Sequence, residues 1–449
     1  MGDILWNLGA FIVALGILVA VHEYGHFWVA RRNGVKVERF SIGFGKAIWR
    51  RMGKDGTEYV VALIPLGGYV KMLDGRVDEV PAHLQDQAFD RKSVWARMAI
   101  VVAGPMANFA FAIFAFWLMF LIGVPAVKPV LNDVTLSSPA AEGGLAPGME
   151  ILAIDGKAVR TWEEVNFALL GRIGDDETRF EVADGTGQRR EAIIPLAEWQ
   201  FDPDEMSPIR ALGLEPVGPE LTLTVAEVVN NGPAAAAGVQ SGDTLQAIDG
   251  EPLADWRQLV SLVQASPEVP VELQLMREGR SLTLTLTPER RESRDRVIGY
   301  AGVAPEVLPV DEAYRFELTY GPLAAIGAGI SRTWDLTVLT FQMLGKLLTG
   351  IVSVDNLSGP ISIAKGAGAT AEFGLVYFLG FMALVSVNLG IINLLPLPVL
   401  DGGHLLFYVI EAVTGRPVPE KIQEIGFRIG AALLIMLMGL ALFNDFARL

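Results

Sequence analysis

The sequence predicts a mixed membrane protein, in which a four-helix transmembrane core carries a membrane-associated β hairpin or sheet and two tandem α+β modules outside the membrane. Three observations support this fold class. Apolar residues make up 51% of the 449 residues and charged residues only 19%, which is too apolar for a wholly soluble chain. Four uncharged stretches approach the roughly 20 residues that a spanning helix needs. The long segment between the second and third stretches contains an internal repeat.

The four uncharged stretches divide the chain into membrane regions at its two ends. They predict spanning helices at about 4–30, 98–124, 373–395 and 427–446, in an N-terminal membrane region at 1–125 and a C-terminal membrane region at 372–449. The N-terminal region also holds a β-rich segment at about 35–75.

Two further apolar stretches, 318–331 and 336–345, are interrupted by Arg332 and Asp335. They predict two amphipathic helices that lie on the membrane or pack on the core, within a connecting region at 310–371.

The distribution of charge predicts the orientation in the membrane. Residues 31–97 hold 13 Lys/Arg against 8 Asp/Glu, whereas residues 124–372 hold 19 against 36. The positive-inside rule places the basic segment in the cytoplasm, and both termini and the acidic segment outside, which is the periplasm in a double-membrane bacterium. The N-terminus lacks a basic n-region, so the first helix does not resemble a cleaved signal peptide. The net charge of −15 argues against a nucleic-acid partner.

The first predicted span ends with the motif His22-Glu23-x-x-His26. Two imidazoles at positions i and i+4 share one helix face and can bind a single Zn²⁺, while the intervening Glu23 is free to act on a metal-bound water. Ionisable groups inside a membrane are costly unless they are paired or metal-bound, so their position favours a functional site. A hydrogen-bonded His/Glu cluster, such as a proton relay, remains the alternative.

A tetrahedral catalytic zinc needs a third protein ligand and one open position. The chain has no cysteine, and the best candidate is Asp401, which follows the third span. The first and third spans run in the same direction, so Asp401 and His26 arrive on the same side of the membrane. His404 is the alternative third ligand, and His83 lies in a polar stretch typical of a surface histidine.

The chain around Asp401 contains further candidate site residues. Pro396 and Pro398 break the third span, and they are followed by the Asp-Gly-Gly sequence at 401–403. The side-chain amide of Asn393 could hold the substrate backbone or a developing oxyanion. A role in helix packing is the alternative.

Taken together, these motifs resemble the site-2 protease family of intramembrane metalloproteases. The likeness rests on HEYGH in the first span and NLLPLPVLDGG at 393–403, and extends to SIGFG at 41–45, IPLGGYVKM at 64–72, NLSGPI at 356–361 and the tail at 438–445. It implies zinc held by His22, His26 and Asp401, Glu23 as catalytic base and Asn393 in substrate binding. It also implies single-span membrane substrates, typically a trimmed anti-sigma factor, and remnant signal peptides.

The β-rich segment suggests how a substrate could be held. Residues 57–73 alternate in polarity around Gly67 and Gly68 and could form a hairpin against the membrane core. The turn of Gly43 and Gly45 is expected to begin the same β region. An edge strand there, including Tyr69, could pair with an unwound substrate segment. An ordinary surface hairpin is the alternative.

The acidic segment contains two copies of one pattern, in which Pro139 and Pro233 occupy equivalent positions. Each copy predicts a short helix, a glycine turn, a strand, an Asp-Gly turn and a second helix. The pattern resembles circularly permuted PDZ domains, at 126–217 and 218–309, with Gly213 and Gly302 as candidates for the loops that bind C-terminal peptides. A steric filter over the active site explains the repeat equally well.

Two other functions would use the same residues. A metal or proton transporter would need polar groups along several spans, but the second and fourth stretches offer only Asn108 and Asn444. A membrane scaffold that carries PDZ-like modules would not need the intact HExxH motif or Asp401.

Overall fold

The computed structural model describes residues 2–77, 79–197, 199, 206–293, 296–352, 354 and 358–447. Asn356, which contributes to the family likeness, lies outside these residues. The α-helices of the described residues are α1 (Gly2–Arg32), α2 (Val94–Ile122), α3 (Pro139–Glu142), α4 (Trp162–Leu170), α5 (Pro208–Ala211), α6 (Pro233–Ala237), α7 (Trp256–Ala265), α8 (Pro322–Leu348), α9 (Pro360–Phe373), α10 (Leu375–Leu394), α11 (Asp401–Thr414) and α12 (Glu420–Ala447).

The strands belong to a sheet beside the membrane helices, a short ribbon, and the two repeat units. They are β1 (Val37–Met52), β2 (Glu58–Met72), β3 (Val124–Val127), β4 (Leu131–Val134), β5 (Glu150–Ile154), β6 (Lys157–Ala158), β7 (Glu177–Ala183), β8 (Arg189–Pro195), β9 (Leu214–Pro216), β10 (Glu220–Val228), β11 (Thr244–Ile248), β12 (Glu251–Pro252), β13 (Val271–Arg277), β14 (Arg280–Leu286), β15 (Glu289–Ser293), β16 (Arg296–Tyr300), β17 (Val303–Leu308) and β18 (Arg315–Leu318).

Four helices among the described residues are long and apolar enough to cross a membrane, namely α1, α2, α10 and α12. They correspond to the four predicted spans, with ends that differ by up to seven residues. The expectation of a membrane protein with four apolar helices and additional β structure is therefore confirmed.

Helices α1 and α2 pack against each other in antiparallel directions and at very short range. His22 contacts Asn108 and His26, one turn later, contacts Ile100. A Cβ atom on Gly25 would lie 2.2 Å from the carbonyl oxygen of Ala103. A glycine is required here because the backbones leave no room for a larger side chain.

Helix α10 also runs antiparallel to α2. Gly380 lies beside Met119, and ten residues later Gly390 lies beside Pro105. Because α1 and α10 are both antiparallel to α2, they run in the same direction, as the sequence predicts.

The β-rich segment forms a sheet that differs from the predicted hairpin. Both β1 and β2 fold back on themselves, so their four segments lie in the order 47–52, 58–64, 37–44 and 68–72. The register from Arg39 opposite Glu58 to Ile42 opposite Val61 shows that the two central segments run parallel. The predicted hairpin within 57–73 is thus wrong, because the first half of β1 lies between its two arms. Local alternation could not reveal a partner that precedes the segment in the chain.

The region around Arg332 and Asp335 forms one helix, α8, where two amphipathic helices were predicted. Its apolar side packs on α2, where Gly329 lies against the Ile113 carbonyl. Its charged side faces the first repeat unit. Arg332 pairs with Glu163 at 2.6 Å and Asp335 pairs with Lys157 at 2.6 Å. A single amphipathic helix accommodates both charges, because each lies on its polar side and pairs with a residue of the first unit.

The two repeat units are inserted between the membrane regions through a narrow neck. Strand β3, directly after α2, pairs antiparallel with β18, which precedes α8. Residues 128–314 lie between these two strands. The first unit contains a sheet of order β6-β5-β7-β8 and the pair β4-β9, and the second contains β14-β13-β11-β10-β17 with β12 on β11.

The repeated pattern produces the same elements in both units. Helix α3 corresponds to α6, β5 to β11, β6 to β12, α4 to α7 and β7 to β13, each pair starting 94 residues apart. Both Asp-Gly turns have positive φ at the aspartate, 48° at Asp155 and 50° at Asp249. Each of these carboxylates accepts a backbone N–H of the following long strand, from Arg179 and Glu272 respectively.

The end of α12 is tied to the start of α9 by a buried carboxylate. Asp445 accepts hydrogen bonds from the backbone N–H groups of Gly359, Ile361 and Ser362 and from the Ser362 hydroxyl, at 2.5–3.2 Å. A carboxylate at a helix N-terminus satisfies free N–H groups and interacts favourably with the helix dipole. Two of the motifs that carry the family likeness therefore meet in space.

The contact between α1 and α2 can be tested with Gly25→Ala. We expect this change to lower stability by about 1–3 kcal/mol, because overpacking forces the helices apart. The measurement is the thermal unfolding midpoint of the detergent-solubilised protein. Gly16→Ala is the matched control in the same helix, since a Cβ there would have no atom within 4 Å. Equal midpoints for the two variants would contradict the close contact.

Candidate metal centre

The two histidines of the HExxH motif lie in the final third of α1 and point toward α2. This is possible because α2 presents Gly104 at the point of contact. A Cβ there would lie 2.2 Å from His26 Nε2 and 2.8 Å from His22 Cε1. The imidazoles therefore occupy the space that a side chain at position 104 would fill.

Asp401 is the first residue of α11, directly after the loop that contains the two prolines. The loop turns so tightly that a Cβ on Gly402 would lie 2.2 Å from the Leu395 carbonyl oxygen, and one on Gly403 would lie 2.3 Å from Pro398 Cα. The Gly-Gly pair thus lets α11 begin against its own loop. A carboxylate in the first helical turn is also favoured by the helix dipole.

The three side chains converge on one point. His22 Nε2 and His26 Nε2 are 3.2 Å apart, and they lie 3.2 and 3.4 Å from Asp401 Oδ2. Tetrahedral zinc with bonds of about 2.0–2.2 Å holds its ligand atoms about 3.3–3.5 Å apart. Asp401 Oδ2 is also buried and without a hydrogen bond among the described residues of the chain. This triangle of two nitrogens and one oxygen fits a zinc ion that takes the three lone pairs.

The outer nitrogens of both imidazoles contact α2. His26 Nδ1 lies 2.8 Å from the Ile100 carbonyl oxygen, and His22 Nδ1 lies 3.2 Å from the amide of Asn108. From the sequence, Asn108 is recognisable only as a polar group in a span. A buried asparagine one turn after Gly104 was the available signal, but its partner could not be identified without the packing of α1 on α2.

Glu23 lies beside the triangle and lines a cavity of about 450 Å³ together with the three candidate ligands. Its carboxylate is largely buried, at 9% exposed. The cavity is completed on one side by the segment 68–72. A Cβ on Gly68 would lie 2.9 Å from Glu23 Cγ, so this edge of the sheet passes directly over the glutamate.

The other predicted residues of the β region lie at the bends of the sheet. Gly43, Gly45 and Gly67 have positive φ values of 90°, 86° and 121°, which explains why glycine occupies these turns. Of the predicted β-region residues, Gly68 and Tyr69 line the cavity. Tyr69 also accepts a hydrogen bond from Arg39 at 3.1 Å.

Asn393 and the two prolines lie near the cavity without lining it. Asn393 is half-buried in the last turn of α10, and Pro396 is exposed in the loop that follows. Pro398 packs against α12, where it would contact a Cβ on Gly426 or Gly430 at 3.1–3.2 Å. The structure therefore places Pro398 in the contact between the Asp401 loop and the fourth apolar helix.

The remaining histidines stand apart from the triangle. His404 lines the cavity, but its ring packs on Phe427 with centroids 5.1 Å apart. The cluster of possible metal ligands found among the described residues contains Asp401 and does not include His404. His83 is exposed in a short 3₁₀ helix, Ala82–Gln87.

The cavity rim beyond the sheet edge carries one ion pair. Arg76 Nη2 lies 2.5 Å from Asp74 Oδ2. Burial acts to raise the pKa of Asp74, but the hydrogen bonds from the Arg76 side chain and backbone outweigh it and lower the pKa. Asp74 and Arg76 therefore both remain charged at neutral pH and give the cavity a polar rim.

Gly213 and Gly302, the candidate peptide-loop glycines, occupy equivalent places in the two units. Both have positive φ, 90° and 77°. Their carbonyls accept hydrogen bonds from the backbone N–H groups of Thr135 and Val229, each at 2.9 Å. A Cβ on Gly213 would lie 2.1 Å from Ser138 Oγ, so this position is closed to any larger residue.

Comparison with known proteins gives matches along the whole chain. The family model described as peptidase family M50 matches residues 10–437. A Vibrio cholerae protein named "Putative zinc metalloprotease" is 57% identical over 452 residues, and the match covers 100% of both chains. Proteins from Salmonella typhimurium and Escherichia coli, both named "Regulator of sigma-E protease RseP", are 54% identical over 450 residues, again with 100% of both chains covered.

A zinc-compatible triangle among apolar helices, a family match over nearly all residues and full-length relatives above 50% identity agree with one another. The chain belongs to peptidase family M50 and is an intramembrane zinc metalloprotease.

Proposed function

We propose that His22, His26 and Asp401 hold the zinc ion and that Glu23 is the catalytic base. The observation that carries this proposal is the triangle with edges of 3.2–3.4 Å. Two neutral imidazoles and one carboxylate leave a net positive zinc with one open position, as in other catalytic zinc sites.

Zinc in such a site polarises the scissile carbonyl and lowers the pKa of a coordinated water. The role of the protein is to move the proton and to place the peptide. Glu23, which lines the same cavity as the ligands, takes a proton from the attacking water and later gives it to the leaving amine. Asn393, in the last turn of α10 before the loop that presents Asp401, is proposed to hold the substrate backbone or the developing oxyanion through its amide, with Pro396 and Pro398 shaping that loop beside the substrate.

The substrate is proposed to bind as an added strand along the segment 68–72. This segment is one edge of the four-segment sheet, and its inner side pairs with 37–42. Among the described residues no other strand pairs with its outer side, which faces the cavity. A helix hides its peptide bonds in internal hydrogen bonds, so pairing with a strand edge would hold a spanning segment unwound.

We propose single-span membrane proteins as the substrate class. The Salmonella and Escherichia coli relatives are named as proteases that regulate sigma-E. A membrane-anchored anti-sigma factor fits this name, and remnant signal peptides share the same single apolar span.

The two repeat units are proposed to be PDZ-like domains that act as a filter, with peptide binding at Gly213 and Gly302 as the alternative. The neck formed by β3 and β18 joins both units to the C-terminal end of α2 and to the N-terminal end of α8. The triangle lies toward the opposite end of α2, beside Ile100 and Gly104. With the charge distribution, this supports a periplasmic filter and a cytoplasmic-side active site in the bacterial inner membrane.

Zinc content tests the ligand set. We expect about one zinc per chain in the purified protein, because the triangle offers three ligands to one ion. His26→Ala should lose it, and His404→Ala should retain it. The measurement is metal per protein by mass spectrometry. Loss of zinc from His404→Ala to the same extent would make His404 a ligand and overturn the assignment.

Glu23→Gln tests the catalytic base. Because the amide cannot accept the proton, cleavage of a reconstituted single-span substrate should fall by at least about 100-fold, while zinc content stays unchanged. Glu420→Gln, at the exposed start of α12, is the control. Cleavage by Glu23→Gln at the wild-type rate would exclude the role given to Glu23.

Site-specific photocrosslinking tests the strand-pairing proposal. A photoreactive phenylalanine derivative replaces Tyr69 on the edge near the metal or Trp49 on the opposite edge of the same sheet, in the Glu23→Gln background. Substrate should crosslink at position 69 and not at position 49, because only the former edge lines the cavity. Crosslinks at position 49 alone would contradict the proposed binding mode.

A further inference from the structure

We propose that Asn108 is a positioning residue of the metal centre, whose side-chain carbonyl accepts the Nδ1–H of His22 and thereby keeps His22 Nε2 available for zinc. This inference rests on the ligand set of the proposed function and adds a residue outside that set. Asn108 lies in the middle of α2 and is fully buried, at 0% exposed.

The side chain of Asn108 has one partner and one free end. Its Nδ2 lies 3.2 Å from His22 Nδ1. Its Oδ1 is buried and makes no hydrogen bond to any described residue. No other contact therefore fixes which end of the amide faces the histidine, and the two orientations have nearly the same shape.

The chemistry of the ligand decides the orientation. His22 Nε2 is the atom that faces His26 and Asp401 in the triangle. A neutral imidazole that gives the Nε2 lone pair to a metal carries its proton on Nδ1. Nδ1–H needs an acceptor, and an amide nitrogen cannot accept. The amide must therefore present Oδ1 to His22 when zinc is bound, which is the reverse of the orientation with Nδ2 toward the ring.

His26 makes the equivalent contact with a backbone carbonyl, which, unlike a side-chain amide, cannot turn to present a donor. His26 Nδ1 lies 2.8 Å from the backbone carbonyl oxygen of Ile100. A carbonyl oxygen only accepts, so His26 holds its proton on Nδ1 and leaves Nε2 free. Helix α2 thus supplies an acceptor to each imidazole, from the backbone at Ile100 and from the side chain at Asn108. Partners of this kind orient metal-binding histidines and fix their tautomer.

Asn108 is also held in place by the third helix. Its backbone carbonyl accepts the hydroxyl of Ser386 at 2.9 Å, and both residues are fully buried. Ser386 belongs to α10, which leads to the loop that carries Asp401. Asn108 therefore contacts both α1, which carries two of the proposed ligands, and α10, which leads to the third.

Zinc affinity of the full-length protein in detergent, measured by competition with a chelator, tests this inference. Asn108→Leu keeps the branched shape of the side chain but removes the acceptor, and should weaken zinc binding by about 10–100-fold. Asn108→Asp offers only acceptors and should bind zinc at least as tightly as the wild type. The control is Asn388→Leu in α10, where Oδ1 accepts the Thr340 hydroxyl away from the triangle, and it should leave the affinity unchanged.

The two Asn108 variants separate positioning from packing. If Asn108 served only to pack the helices, both variants would alter the unfolding midpoint while zinc affinity stayed at the wild-type value, and the inference would be wrong. Weakening of zinc binding by Asn108→Asp by about 10-fold or more relative to the wild type would also overturn it, and this measurement does not depend on the leucine variant being folded. A wild-type protein that bound no zinc would instead overturn the ligand set.

Discussion

The close approach of α1 and α2 is the contact on which the rest of the site depends. A Cβ atom on Gly25 would collide with the backbone of α2, and the imidazoles of His22 and His26 occupy the space that a side chain on Gly104 would need. Polar groups in such a setting must be satisfied within the protein, because no lipid can do so. The approach brings acceptors on α2 within reach of both rings. The inner nitrogens of both rings face Asp401. The packing of α1 on α2 therefore also orients the candidate metal ligands.

A protease for membrane-spanning substrates must also solve a problem of secondary structure. A spanning helix satisfies all its backbone groups internally, and lipid offers no replacement partners. In the proposed binding mode, the strand edge beside the candidate metal site would supply replacement hydrogen bonds at the place where the helix must open. The sheet is well suited to this, because its bends at Gly43, Gly45 and Gly67 bring the segment 68–72 over Glu23. Binding and unwinding would then be a single event.

The inserted units are coupled to the membrane helices by more than the neck. Arg332 and Asp335 of α8 pair with Glu163 and Lys157 of the first unit, while the opposite side of α8 packs on α2. Ion pairs of this kind contribute little stability individually, and the Arg332 guanidinium also packs over the Phe167 ring of the first unit at 4.5 Å. Beyond α8 in the chain, Asp445 joins α12 to α9 through several hydrogen bonds. The fourth apolar helix is therefore fixed to α9. Helices α8 and α9 both belong to the connecting region at 310–371, and α8 also contacts the first unit.

The sequence alone determined the spans, the repeat and the identity of the candidate ligands, because hydrophobic runs, periodic patterns and the i, i+4 spacing of His22 and His26 are local properties of the chain. The tertiary structure decided what local patterns cannot contain. It brought the Asp401 carboxylate to within 3.2–3.4 Å of the imidazole nitrogens, through the tight turn at Gly402-Gly403, and left His404 outside this group. It placed the first half of β1 between the arms of the expected hairpin, since a strand can pair with any segment that reaches it. It also gave Asn108 its partner, because that contact joins residues 86 positions apart.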